Sequence, residues 1–247
     1  MKLILLDSSG LTASVAVTED NNLIAEYNVQ YKKTHSQTLL PMLDELKSMV
    51  ELDLKTVDAV AIAKGPGSFT GLRIGSATAK GLCQALNIPI VEIDTLEGLA
   101  CNAYGFSGIV CPMMDARRQQ VYTGAYVFNR KEGGFEMETL LPACALSIEE
   151  ISQKLNELSK NSQKDVLLLG DGIPVYEGSL RELITVPFSV APLHMNRQRA
   201  SAFAFLAVDR FAKGQAVDFK DHAPEYLRLS QAERERKEGI RNKGSNY

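Results

Sequence analysis

The chain is expected to fold as an α/β protein of two similar halves, each with the element order βββαβαβα. Three observations carry this expectation. Short apolar or alternating runs arrive in threes, at residues 2–7, 13–18 and 23–29 and again at 108–114, 121–128 and 135–140. Each triplet is followed by segments that alternate between helix and strand periodicity. The chain has 247 residues, 45% hydrophobic and 23% charged, which suffices for two cores of ordinary globular composition.

Each element has a local reason. Ser8-Ser9-Gly10 and Asp20-Asn21-Asn22 have turn chemistry, so the first three strands are expected to be antiparallel. Residues 35–50 carry helical spacing at Leu39, Leu43, Leu46 and Val50. Pro41 is tolerated only near a helix start, so regular helix is expected to begin close to it. Residues 57–63 are continuously apolar, as in a strand buried on both faces. A helix at 71–86, a strand at 90–93 and a helix from Thr95 complete the first half. In the second half a helix is expected at 147–158, a strand at 166–169 and a helix at 178–184. Residues 186–190 then lead into a long helix at 198–212. Gly105 and Ser107 break the pattern, which divides the chain into residues 1–104, residues 105–228 and a charged tail, 229–247. The last helix is in a position to pack back onto the first half. This order of elements is that of the duplicated ribonuclease H-like (actin/sugar-kinase/Hsp70) architecture. A ligand there would sit in the cleft between halves, facing the turns Asp7-Ser8-Ser9-Gly10 and Asp115-Ala116-Arg117-Arg118.

Composition excludes several functions. With 27 basic and 30 acidic residues the formal charge is -3, and no basic stripe is visible in the body of the chain. Nucleic acid gripped by this chain alone is therefore not expected. Cys83, Cys101, Cys111 and Cys144 show no CxxC spacing and sit among apolar residues, so reduced thiols and a cytoplasmic location are expected. The apolar run Leu3-Ile4-Leu5-Leu6 ends at Asp7, too soon for a signal peptide or membrane span. His35, His194 and His222 form no HxxxH or HxH pair, so no metal site is expected. No GxSxG elbow is present, and a Ser–His–acid set could assemble only in space.

The glycine-rich segment from Lys64 to Gly75 joins a buried strand to a helix. An anion site is physically possible there, but the segment is not a Walker loop. A turn that lets the helix approach closely is the favoured reading. On that helix Gly71, Gly75 and Ala79 share a stripe continued by Leu82 and Leu86. Ile74, Thr78, Gly81 and Ala85 form a second stripe, and Arg73, Ser76, Lys80 and Gln84 leave only a narrow polar strip. Such a helix must be covered on more than one side, by its own sheet or by another chain. The preceding helix offers Leu40, Met42 and Met49 off its core stripe, with His35 as a cap or surface residue. Asp7 and Asp115 could hold a cation in a kinase-like cleft. Yet Ser8, and Arg117-Arg118 in the other half, replace the small residues that let backbone cradle a phosphate, so nucleotide binding is expected to be impaired.

These segments resemble a known family. Asp7-Ser8-Ser9, His35-Ser36 with Leu40-Pro41, the segment from Gly65 to Gly75, Asp115-Ala116-Arg117 with Val121-Tyr122, and Pro224-Glu225-Tyr226-Leu227-Arg228 recur in order in TsaB (YeaZ) proteins. The resemblance covers nearly the whole chain. It implies a non-catalytic subunit, without a cofactor, of the machinery that forms N6-threonylcarbamoyladenosine in tRNA. The implied partners are the catalytic paralogue TsaD and the ATPase TsaE, with a homodimer in isolation and tRNA reached only through the complex. TsaD carries a metal-binding HxxxH where this chain has Thr95 and Leu99 around Glu97-Gly98. The resemblance also assigns the helices from His35 and Gly71 to a subunit interface, which here would use His35, Leu40, Met42, Met49, Gly71, Ile74, Gly75, Thr78, Ala79 and Leu82. The competing expectations are a metal-independent ATPase or kinase in the cleft, and a peptidase.

Overall fold

The computed structural model describes residues 1–228; the expected charged tail, 229–247, lies outside the described residues. The first half contains β1 (Lys2–Asp7), β2 (Ala13–Glu19), β3 (Asn22–Val29), α1 (His35–Met49), β4 (Ala59–Gly65), α2 (Phe69–Leu86), β5 (Ile90–Asp94) and α3 (Thr95–Ala100). The second contains β6 (Ile109–Asp115), β7 (Gln120–Lys131), β8 (Gly134–Ser147), α4 (Ile148–Ser162), β9 (Val166–Leu169), α5 (Gly172–Leu183), β10 (Phe188–Val190) and α6 (Ala204–Ala212).

The two sheets have the same plan. The first runs β3-β2-β1-β4-β5, and the second, counted from its other edge, runs β8-β7-β6-β9-β10. In each, the opening strand pairs antiparallel with the second and parallel with the fourth, so Leu5 lies between Ala16 and Ala61. Alternate side chains of β1 therefore enter different cores. Ile4 and Leu6 pack under α1 and α2, while Leu3 and Leu5 meet Phe203, Leu206 and Ala207. The chain thus returns from the second half to cover the open face of the first sheet. Leu96, Leu99 and Ala100 of α3 join Val110, Tyr126 and Phe128 in a core between the halves.

Several boundaries differ from expectation, each for a local reason. Helix α1 starts at His35, well before Pro41, because Gln37 reaches back to accept from the Thr34 amide at 3.3 Å. Pro41 then lies inside the helix on its exposed side. Helix α2 starts at Phe69 because the Ser68 hydroxyl accepts from the Gly71 amide. Helix α5 starts at Gly172, with a kink at Tyr176. Residues 54–56 form a 3-10 turn, which delays β4 to Ala59.

The expected long helix at 198–212 is shortened to a 3-10 turn, Ala200–Phe203, followed by α6. Side chains of the first half take its leading amides. Ala200 N–H donates to Ser14 Oγ at 2.7 Å, and Ser201 N–H donates to Glu26 Oε1 at 3.0 Å. These bonds anchor the 3-10 turn to the first sheet.

Candidate functional site

The turn after β1 is held against α2 by its own polar groups. Asp7 is buried, and one carboxylate oxygen accepts from the Ser9 amide at 2.9 Å and from the Ser9 hydroxyl at 2.6 Å. Burial pushes the Asp7 carboxyl up to about 6, against the two Ser9 hydrogen bonds that pull it down. The Ser8 hydroxyl donates to the Gly71 carbonyl at 2.9 Å, and the Ser68 amide donates to the Ser9 carbonyl at 2.7 Å. At Gly71 a Cβ would overlap the Ser8 carbonyl, and at Gly75 it would overlap the Ser8 hydroxyl. The glycine-rich segment is therefore the close-packing turn that its composition favoured, with Ser8 and Ser9 filling the space against it. The His35 ring at the start of α1 lies 2.9 Å (Nε2) from the Gly10 carbonyl and packs beside Gly71.

A cavity of about 800 Å³ opens in front of this turn. Both halves line it: Ser9, Gly10, Lys32, Lys33, His35 and Phe69 from one, and Asp115, Arg117, Tyr122 and Asp171 from the other. Tyr226, Leu227 and Arg228 form part of its wall. The second-half turn is also committed internally. Asp115 Oδ1 accepts from the Tyr176 hydroxyl at 2.9 Å and the Arg117 amide at 2.8 Å, and Arg117 Nη1 lies 3.6 Å from its other oxygen. Arg117, Arg118 and Gln119 all have positive φ, between 56° and 65°, in a tight left-handed turn at the rim. Asp171, whose carboxylate accepts from the Asp115 amide at 3.1 Å, is held above the usual carboxylate range by burial.

The metal position inferred for the paralogue does not fit a metal here. Leu99 is buried in the core between the halves and has no donor atom. Thr95 is fully buried and supplies only a hydroxyl. Asp94 beside them caps α3, accepting from the Leu96 and Glu97 amides at 2.8 and 3.3 Å. Burial, with Glu97 adding to it, moves its carboxyl up to about 6.

The polar strip of α2 has an intramolecular partner that the helix alone did not reveal. Ser76 Oγ lies 2.9 Å from His222 Nε2, and His222 Nδ1 lies 2.7 Å from Glu92 Oε1. This is the connectivity of a Ser–His–acid triad. Ser76 and His222 are buried and neither lines the cavity, however, and Ser76 sits within a helix rather than on an exposed elbow. The set works as a clasp. Hydrogen bonding from His222 holds the Glu92 carboxyl below its ordinary range, with Lys64 adding to the effect.

The face expected to meet a partner divides in two. Met42, Gly71, Gly75 and Ala79 are buried in the chain's own fold, with Met42 and Ala79 in the core under α1 and α2. They set how closely the helices lie on the sheet. Leu40 and Met49 are 53% and 70% exposed, and Ile74, Thr78 and Leu82 are half-buried. Beside these, Ala77, Gly81 and Ala85 are exposed along α2, and nothing approaches the position of a Gly81 Cβ within 4 Å. Spacing did not single out Ala77. It could have been found as the residue one turn before Gly81.

Comparison with known proteins agrees with this architecture. Residues 23–236 match the family model described as TsaD, tRNA N6-adenosine threonylcarbamoyltransferase. The tRNA threonylcarbamoyladenosine biosynthesis protein TsaB of Bacillus subtilis is 32% identical over 94% of this chain and 96% of its own length. The Escherichia coli protein of the same name is 27% identical over 92% of this chain and 95% of its own. The structure of YeaZ from Pseudomonas aeruginosa superposes with a TM-score of 0.72, at 27% identity, covering 92% of this chain and 99% of that one. The duplicated fold, the family model over residues 23–236 and the relative 32% identical over 94% of the chain lead to one conclusion: the chain belongs to the TsaB family.

Proposed function

We propose that the chain takes part in forming N6-threonylcarbamoyladenosine in tRNA as a non-catalytic subunit, using the exposed face of α1 and α2 to bind its paralogue TsaD. The observation that carries this reading is the apolar and small surface of Ile74, Ala77, Gly81 and Ala85 along α2, next to α1, on which the exposed Leu40 and Met49 flank the core stripe on opposite sides. Small residues let a partner helix approach closely, and the exposed methionine and leucine supply apolar area. The same face would join two copies of this chain when TsaD is absent. TsaE is a further partner in this reading, and tRNA is contacted through the assembled complex in the cytoplasm. No helix among the described residues is long and apolar enough to cross a membrane.

Support for a non-catalytic role comes from the internal commitments of the reactive groups. Asp7 and Asp115 bond to their own turns, Leu99 fills a core position, and Ser76 is sealed beneath His222. The test is calorimetric titration of the chain into TsaD, followed by threonylcarbamoyl transfer to tRNA. Expected are binding that Gly81→Arg abolishes, transfer activity by TsaD that depends on the wild-type chain, and none by the chain alone. Transfer by the chain alone, or undiminished binding of Gly81→Arg, would contradict the reading. Magnesium-dependent ATP binding by the isolated chain that disappears in Asp7→Ala would instead favour the cleft enzyme.

A further inference from the structure

The segment from His222 to Arg228 runs along α2 and ends at the cleft. Its hold on the first half is extensive. His222 is buried between Ser76 and Glu92, and the Glu225 amide donates to the Lys64 carbonyl at 2.8 Å. Lys64 Nζ lies 3.2 Å from Glu225 Oε2 and 3.6 Å from Glu92 Oε2. The Tyr226 ring packs on Phe69 with centroids 4.7 Å apart, and its hydroxyl accepts from Arg73 Nε at 3.2 Å. The Arg73 guanidinium in turn lies 3.9 Å over the Phe69 ring.

The connection to the second half is of another kind. Arg228 Nη1 donates to the Ala116 carbonyl at 2.7 Å, across the mouth of the cavity that Leu227 and Arg228 help to wall. Ala116 opens the β6–β7 turn, in which three successive non-glycine residues hold positive φ. Such backbone is sparsely populated and persists where its surroundings fix it. The turn's own closure uses Ala116 N–H to the Gln120 carbonyl at 3.0 Å, Gln120 N–H to the Arg117 carbonyl at 3.2 Å and Arg117 N–H to Asp115 Oδ1 at 2.8 Å.

We infer that residues 222–228 are a strap seated on the first half and latched to the second through Arg228 and the Ala116 carbonyl, and that releasing this latch frees the β6–β7 turn and widens the cleft. The asymmetry is the basis. One end is buried, ion-paired and stacked; the other is a hydrogen bond from a partly exposed guanidinium to a turn carbonyl. Opening is therefore expected at the Arg228 end, with the strap remaining on α2. The strap also pins α2 at Phe69, Arg73 and Ser76, on the side that faces neither its own sheet nor the exposed small-residue stripe.

Hydrogen–deuterium exchange on the full chain tests this. Arg228→Ala is expected to speed exchange in residues 115–122 about tenfold, the scale of one lost charge-assisted hydrogen bond. Residues 218–224 should stay at wild-type protection. Tyr226→Phe, which removes only the hydroxyl that Arg73 reaches, should leave 115–122 unchanged. Spin labels at Leu11→Cys and Val175→Cys, both exposed on opposite walls, should show longer and broader distances in Arg228→Ala than in the wild-type background. Unchanged exchange at 115–122, an equal rise at 115–122 and 218–224, or superposable distance distributions would each overturn the inference.

Discussion

Asp7 shows what a single buried carboxyl does to this fold. It ends the first strand of a cleft architecture, where a carboxylate could hold a cation, although the turn was expected to be degenerate. Instead it organises its own turn, with both Ser9 donors on one oxygen. Its folded pKa of about 6 lies above the ordinary 3.8, so the folded chain binds the extra proton between those values. Stability from this group is therefore complete below about pH 4 and is lost as pH rises through 6. Asp7→Asn keeps an acceptor for Ser9 and has nothing to titrate. Relative to wild type, it should gain up to about 3 kcal/mol between pH 4 and pH 7.5 in urea unfolding. A difference that is flat or falls with pH would show that Asp7 is not buried as described. Gly71 is the second decisive residue. Gly71→Ala should lose about 1–2 kcal/mol, because overlap with the Ser8 carbonyl outweighs the better helix propensity of alanine. The glycine spacing was legible in the sequence. Its partner was not, since Ser8 lies 63 residues away along the chain.

Among the elements, α2 connects sequence pattern to function. Its periodicity separated two apolar stripes and a polar strip, and the structure redistributes them, because Ile74 and Thr78 of the second stripe are half-buried and Ala77 belonged to neither stripe. Gly71, Gly75 and Ala79 lie on the chain's own sheet and first turn, Arg73 and Ser76 meet the C-terminal strap, and Ala77, Gly81 and Ala85 remain exposed. Sequence gave the stripes because helical spacing is local. Which stripe faces inward depends on long-range packing, so spacing left the own-sheet and partner readings open, and it was the family resemblance that assigned Gly75 and Ala79 to the partner face; both are buried. The same limit explains Met42, a flexible side chain that serves equally as core filler or contact. Gly81→Arg should keep the wild-type melting temperature or exceed it, since glycine is the weaker helix former and the site is open. Loss of TsaD binding together with a collapsed melting temperature would mean that Gly81 is not on a free face.

Across the whole molecule, the duplicated order βββαβαβα was readable because strand and helix periods differ, and both sheets repeat one strand order. The return of the last helix onto the first half was expected in outline, but its contacts and the course of the chain beyond it were not. Phe203, Leu206 and Ala207 close the first core from residues that follow the second, and His222 to Arg228 close the cleft. Nothing in local periodicity shows where a chain returns. The family-like segment from Pro224 to Arg228 marked that place without explaining it. Light scattering of the purified chain, alone and after adding TsaD, decides whether the exposed face of α1 and α2 is made for a partner. A dimer of this chain that exchanges into a mixed dimer with TsaD is expected. A chain that stays monomeric at high concentration and keeps its mass when TsaD is added would refute the account.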